Sequence, residues 1–277
     1  MNLLLLGPFA GDWAHEISVF RPWARWISSV IDHDRVYLST HANRTFLYDW
    51  VPKENITSIY GEFSRDEFSQ TGYTYTGLTH RDYMLLVRRF KDHINEKVKG
   101  KKHIDNYYLK YTKSNLMFYP IYNKIFEKIT VPSINIIAED YIAFIPDIDE
   151  NEIRLIEIYE ALKKEYNVVV VGDMKCHLPD ENVILKCPDY FENGYKYIMR
   201  YLENAKIIIC PTGHWTYLCN LQNRPVFSWG QNVGQYREDG VLNLGNRNCY
   251  TYVTNYDTSA NSIINVAKHF IDKFIGR

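Results

Sequence analysis

Residues 205–230 read AKIIICPTGHWTYLCNLQNRPVFSWG, and the fold of the chain turns on this stretch. Lys206-Ile207-Ile208-Ile209-Cys210 is a β-branched apolar run of strand length. Pro211-Thr212-Gly213 breaks it. His214 to Asn220 reads as a short helix, Arg224-Pro225 ends that segment, and Val226-Phe227-Ser228-Trp229 returns to strand. A small polar turn between a strand and a helix start is a ready anion site. The first helical N–H groups lack partners within the helix, and the helix dipole points at the same spot. His214 adds a side-chain donor there.

The same alternation extends upstream. Tyr141 to Pro146 reads as a strand, Glu152 to Tyr166 as an amphipathic helix, and Asn167 to Asp173 as a strand ending in a Gly-Asp turn. Asn182 to Leu185 reads as a further strand and Tyr195 to Asn204 as a helix. Repeated β-α-β units imply a parallel sheet. The chain also opens this way. Asn2 to Leu6 is a buried strand, Gly7 to Asp12 a loop, Trp13 to Ile17 the start of a helix and Pro22 to Val30 a clearer one. Arg35 to Thr40 is the next strand, with His41 at its end. Asp12, His15 and His41 thus fall near the carboxyl ends of strands, where open α/β sheets bind ligands.

Between these halves, Ile56 to Tyr60 reads as a short strand, Ser69 to Gly77 as part of a long loop and Arg81 to Val98 as a helix. Its basic run, Arg88 to Lys102, reads foremost as a solvated face. The aromatic segment Asn115 to Ile129 leads to a boundary at Val131-Pro132-Ser133. The expected architecture is α/β with two doubly wound, Rossmann-like domains, residues 1–130 and 131–277.

The chain has 277 residues, 46% of them hydrophobic, enough for two cores. A net charge of −1, with a slightly basic first half, does not by itself establish a nucleic-acid partner. Five cysteines without C-x-x-C pairs read as reduced thiols of a cytoplasmic protein. The Leu3 to Leu6 run is too short for a signal peptide, and no later run is long enough to span a bilayer. The glycine spacing is G-x-x-x-G-D, which is neither the G-x-G-x-x-G dinucleotide fingerprint nor a G-K-[ST] phosphate loop. No H-E-x-x-H or H-x-x-x-H pair suggests zinc, and no G-x-S-x-G elbow suggests a hydrolase. Asp147-Ile148-Asp149 fits the D-x-D string, but after Pro146 it reads as the cap of the next helix.

Three motifs carry a family resemblance. Gly7-Pro8-Phe9-Ala10-Gly11-Asp12, with Pro22 downstream, is similar to the S-x-x-G-D loop that follows the first strand of heptosyltransferase-type glycosyltransferases. Val168-Val169-Val170-Val171-Gly172-Asp173 resembles their V-V-L-L-G-G strand. Thr212 to Pro225 resembles D-S-G-P-x-H-L-A-A-A-L-G-x-P in order and nearly in spacing, with Pro211 at the position of the family's acidic residue. The family is that of the ADP-heptose:LPS heptosyltransferases, which have the GT-B fold and use a nucleotide-diphosphate sugar.

The resemblance implies an inverting transfer that needs no metal and no cofactor besides the donor substrate. It makes Asp12, beside Gly11, the base; His15, three residues on, is the second candidate. Asp12 also reads as a helix N-cap. Thr212, Gly213 and His214 would hold the diphosphate. Asp173 would reach a ribose hydroxyl and Lys175 a phosphate. Ser228, Trp229 and Gly230 end the next strand; Trp229 reads equally as a stacking platform and as a core residue. Gln231, Asn232 and Tyr236 follow as contacts to donor hydroxyls. The acceptor expected from the family is a surface glycan or a lipid-linked sugar. Three other readings remain open: a phage-type DNA-base glycosyltransferase, a non-catalytic nucleotide-sugar or glycan-binding protein, and a pyruvyl transferase using phosphoenolpyruvate.

Overall fold

The computed structural model of the chain describes residues 1–9, 16–58, 80–99, 105–109, 139–147, 150–172, 176–186, 190–231 and 246–276. The readings made at 69–77, 115–129 and 131–133 lie outside them. The chain divides into two compact units, Met1–Ile125 and Phe126–Arg277, each with one parallel sheet.

In the first unit the strands are β1 (Asn2–Leu6), β2 (Arg35–Ser39), β3 (Ile56–Thr57) and β4 (Asp105–Leu109), in the order β3-β2-β1-β4. Leu3 to Leu6 are at most 1% exposed, because a central parallel strand is covered on both faces. Leu3, Leu5 and Tyr37 pack on Phe90, Ile94 and Val98, a stripe at helical spacing on and just after α2 (His80–Lys97). Arg88 on the same helix is 80% exposed and pairs with Asp92 at 3.9 Å. Helix α1 (Arg21–Val30) has Pro22 in its first turn, where a missing N–H costs nothing. It is preceded by a π-helical turn, Glu16–Phe20, rather than by the start of an ordinary helix. The strand expected to reach Tyr60 is described over two residues only. Strand β4 was not expected.

In the second unit β5 (Ile142–Phe144), β6 (Val168–Val170), β7 (Ile207–Pro211), β8 (Val226–Gly230) and β9 (Cys249–Val253) run in the order β6-β5-β7-β8-β9. Asn182 adds a single parallel bridge to Val170 outside β6. Counting that bridge, the strand order by sequence rank is 3-2-1-4-5-6, that of a dinucleotide-binding sheet, with its reversal between β5 and β7. The strand expected at Asn182–Leu185 is thus reduced to one residue. Asn182 Oδ1 accepts from the Ile184 amide at 3.1 Å, an Asx turn that curls the backbone into a 3₁₀ turn, Val183–Lys186.

Among the described residues of this unit the helices are α3 (Glu152–Lys163), α4 (Tyr190–Asn204), α5 (His214–Leu221) and α6 (Ala260–Ile275). Phe144, Ile209, Phe227 and Trp229 form one core with Leu155, Ile158, Ile263 and Ile271 of α3 and α6. Cys210, one residue on from Ile209, points to the other face and meets Thr216 of α5, with Sγ 3.7 Å from Oγ1. Helices therefore cover both faces.

The cap of α3 is Asn151, whose Oδ1 accepts from the Arg154 amide at 2.9 Å. This corrects the expectation for Asp147, which lies four residues before that cap. Helix α4 begins at Tyr190, five residues earlier than Tyr195. Strand β9 and helix α6 were not anticipated. Among the described residues, no helix is long and apolar enough to cross a membrane.

Candidate active site

The reversal in strand order leaves a crevice beyond the carboxyl ends of β5 and β7. Past the end of β5 the Ile145 amide still donates to Ile209 O at 2.8 Å, so the chain continues beside β7. This brings Asp147, 7% exposed, to the level of Gly213. A Cβ built on Gly213 would lie 2.8 Å from Asp147 Oδ2. Gly213 has an extended backbone, φ 173°, which any residue can adopt. The glycine is therefore a matter of room for a carboxylate, not of backbone freedom.

Thr212 and Gly230 are fitted to each other. The Thr212 amide donates to Trp229 O at 2.7 Å, which sets the end of β7 against the end of β8. A Cβ on Gly230 would fall 1.8 Å from Thr212 Oγ1, so the hydroxyl fills the space a side chain would take. The Gly213 amide donates to Thr216 Oγ1 at 3.1 Å, and that hydroxyl donates to Pro211 O at 3.2 Å. The turn is thus locked from inside the helix. The Gly213 N–H serves the fold, and the donors left for an anion belong to the residues that open α5, starting with the backbone of His214. The crevice combines a helix N-terminus, which attracts anions, with a carboxylate, which attracts hydroxyl groups.

The neighbouring predicted residues divide. Ser228 is 1% exposed and its hydroxyl meets Thr251 Oγ1 at 3.0 Å, a cross-strand pair inside the sheet. Trp229 is 0% exposed and packed near Phe144 and Phe227. Its indole N–H donates to Glu150 Oε2 at 3.0 Å. Of the two readings of Trp229, the core one describes this geometry, since no ring face is open to a base.

Asp173 and Lys175 lie outside the described residues, but the residues on either side are held together. Asn182, 0% exposed, donates from Nδ2 to Gly172 O at 3.1 Å and to Cys176 Sγ at 3.3 Å. Its Oδ1 accepts from the Gly172 amide at 3.4 Å.

The first unit has a corresponding edge. Gly7 has φ +96°, and a Cβ there would fall 2.5 Å from Ser39 O, so this position requires glycine. The Phe9 amide donates to Ser39 O at 2.9 Å. Gly11, Asp12 and His15 lie outside the described residues.

The chain resumes at Glu16, whose carboxylate is 0% exposed. Glu16 Oε2 accepts from Arg44 Nη1 at 2.9 Å, and Oε1 accepts from Tyr48 OH at 2.7 Å and from the Thr40 hydroxyl. Burial pushes the Glu16 carboxyl above its usual 4.5, while Arg44, Thr40 and Tyr48 pull it back. Burial and the neighbouring Glu16 push the Tyr48 phenol well up, so it stays protonated as a donor. At the same edge Ser39 Oγ, Thr57 Oγ1 and Ser58 Oγ are buried with no hydrogen-bond partner among the described residues, and Ser39 and Thr57 are register neighbours.

Sequence reasoning missed Glu16 and Asp147. The four-residue spacing of Arg44 and Tyr48 was a weak pointer to the first, and a strand ending in Pro146-Asp147 to the second.

No protein-family model matches the chain, and no curated protein does. Solved structures do. E. coli ADP-heptose LPS heptosyltransferase II matches with a TM-score of 0.51 at 12% identity, over 99% of this chain and 99% of its own. The glycosyl transferase family 9 structure from Veillonella parvula matches with a TM-score of 0.50 at 10% identity, over 98% of this chain and 97% of its own. At such identity the likeness is one of fold.

Proposed function

We propose that the chain is a glycosyltransferase of the GT-B architecture that moves a sugar from a nucleotide-diphosphate donor to an acceptor hydroxyl. The observation that carries this reading is the strand-turn-helix at Thr212–His214, at the strand-order reversal of a parallel sheet, in a chain that shares its fold with two glycosyltransferase structures. The donor's diphosphate would sit at the opening of α5, with Thr212 and His214 beside it. Helix N–H groups would offset the charge that develops as the bond to the anomeric carbon breaks. Lys175 would add a cation to the diphosphate and Asp173 an acceptor for a ribose hydroxyl.

On this reading Asp12 takes the proton of the acceptor hydroxyl, with His15 as the alternative base. The acceptor oxygen attacks the anomeric carbon from the face opposite the diphosphate, the nucleotide diphosphate leaves, and the configuration inverts. No metal is required, since the helix start and basic groups carry the leaving-group charge. Asp147 has a distinct part. A second negative charge within about 4 Å of the diphosphate would cost on the order of 4 kcal/mol at an effective dielectric of about 20. Asp147 therefore faces donor hydroxyl groups, and the phosphates keep to the α5 side. The acceptor class that fits the resemblance is a glycan or lipid-linked sugar.

The test is a thermal-shift screen against UDP-, GDP-, ADP-, CMP- and dTDP-linked sugars, followed by turnover assays on variants. One nucleotide should raise the melting temperature well above the others. Asp12→Asn should abolish transfer while the nucleotide still binds, and His214→Ala should weaken that binding. Unchanged binding and turnover in His214→Ala would refute the diphosphate site. Binding with no nucleotide diphosphate release in any acceptor mixture would make the chain a binder rather than an enzyme.

A further inference from the structure

A cavity of about 350 Å³ lies between β9 and α6 in the second unit, within the size range of small-molecule sites. It belongs to the edge opposite the candidate active site. The strands are parallel, so Cys249 and Tyr250 at the start of β9 mark the amino edge, whereas Thr212 and Gly213 follow the carboxyl end of β7. Helix α6 follows β9 and runs back over the sheet, so its last turns return to that amino edge.

The floor of the cavity is aromatic. Tyr250 and Phe270 have ring centroids 6.4 Å apart, Phe270 and Phe274 4.8 Å apart, and Tyr250 is 46% exposed. Its rim carries Arg247, His269 and Lys273, all exposed. Among the described residues no Asp or Glu lines it. Among the described residues neither Arg247 nor Lys273 has a carboxylate partner; Lys273 Nζ lies over the Phe274 ring, 5.5 Å from its centroid. The acid on that turn of α6, Asp272, accepts from Tyr166 OH at 3.0 Å. Three cationic or cation-forming groups around an acid-free aromatic floor call for an anion attached to a ring. Arg247 offers a planar fork suited to phosphate, and Lys273 a point charge. A half-exposed tyrosine face offers a stacking surface.

We propose that this cavity binds a small phosphate ester carried on a flat ring, the chemistry of a mononucleotide, at a site separate from the crevice at Gly213. The ring stacks on Tyr250, and the phosphate lies between Arg247 and Lys273, with His269 as a further donor.

The test uses the full chain and two probes, phenyl phosphate and inorganic phosphate, in calorimetric titrations. Phenyl phosphate should bind, with inorganic phosphate at least tenfold weaker because it lacks the ring. Arg247→Ala combined with Lys273→Ala should weaken phenyl phosphate at least tenfold without moving the melting temperature, since both side chains are exposed. Tyr250→Leu should weaken phenyl phosphate and leave inorganic phosphate unchanged. No binding of phenyl phosphate, equal affinity for the two probes, or no effect of the paired substitution would overturn the proposal. So would loss of phenyl phosphate binding in His214→Ala but not in the paired variant, which would place the probe in the crevice. Binding to phosphatidylglycerol vesicles without binding of phenyl phosphate would also overturn it, in favour of a membrane contact.

Discussion

Replacing Arg44 by Met should cost the first unit about 3–5 kcal/mol at pH 7.5, the loss expected when one member of a buried ion pair is removed. Arg44 and Glu16 approach to 2.9 Å with side chains 3% and 0% exposed, so the Glu16 anion has no water to replace its partner. Glu16→Gln should cost a comparable amount by stranding the guanidinium, although the amide still accepts from Tyr48 and Thr40. The paired change Glu16→Gln with Arg44→Met should cost less than the sum, because no unpaired charge is left.

The pH dependence gives the reasoning a second handle. Burial already raises the Glu16 carboxyl above 4.5, and Arg44 is the largest of the groups that oppose this. Without Arg44 the folded pKa rises further above the unfolded one. A carboxyl whose pKa is raised on folding favours the folded state when protonated. The deficit of Arg44→Met should therefore be full above the folded pKa and shrink as pH falls toward 4.5. Urea unfolding followed by tryptophan fluorescence at pH 7.5 and pH 5 measures both effects. A deficit under about 1 kcal/mol at pH 7.5, or one equal at the two pH values, would refute the account of the cluster as a buried, ionised pair.

Two further outcomes concern the crevice. Asp147→Asn should tighten binding of the free nucleotide diphosphate and weaken binding of the intact donor sugar, measured side by side by calorimetry; equal effects on both would remove Asp147 from the site. Gly213→Ala should cut nucleotide affinity through contact with the Asp147 carboxylate, and Asp147→Ala in the same chain should restore the thermal midpoint, since the clash at 2.8 Å has that one partner.

How far the sequence could be read depended on whether local pattern or distant contacts decided the outcome. Leu3 to Leu6 and Ile207 to Cys210 are runs that only buried strands accommodate, and both are strands. The turn after β7 was legible in part: Pro211, expected to break the run, is the last residue of the strand, paired in register with Trp229, and the chain turns away at Thr212 and Gly213. Asn182-Val183-Ile184-Leu185 has strand composition, yet the Asn182 side chain bonds to its own chain two residues on and to Gly172, and the ladder ends after one residue. Glu16 sits in a helix-like sequence, but its partners Thr40, Arg44 and Tyr48 are 24 to 32 positions away and no local pattern announces them. Asp147 was read as a helix cap because the helix is near in sequence; register with β7 carried it to Gly213 instead. Strand β9, Cys-Tyr-Thr-Tyr-Val, lies at the sheet edge, where Tyr250 and Val253 are exposed on opposite faces, so no simple alternation marks it in the sequence.

The two sheets treat their candidate loops alike. Residues 10–15 join Phe9, whose amide is bonded to Ser39 O, to Glu16, whose carboxylate is buried among Thr40, Arg44 and Tyr48. Residues 173–175 join Gly172 to Cys176, and both are bonded to the buried Asn182. In each case a polar group removed from solvent anchors the chain where it leaves and re-enters the sheet edge. Such groups are expensive to bury and are fully satisfied only in one arrangement. An apolar anchor would tolerate a shift of register or angle; a carboxylate with three donors would lose a bond for each. That argues for a requirement on position at the loop ends rather than on stability alone, since a hydrophobic cluster of equal volume would stabilise at least as well. It also separates two kinds of failure. Loss of Glu16 or Arg44 should lower turnover while nucleotide binding by the second unit persists. Asn182→Leu should weaken the nucleotide first, because the loop it anchors carries Asp173 and Lys175.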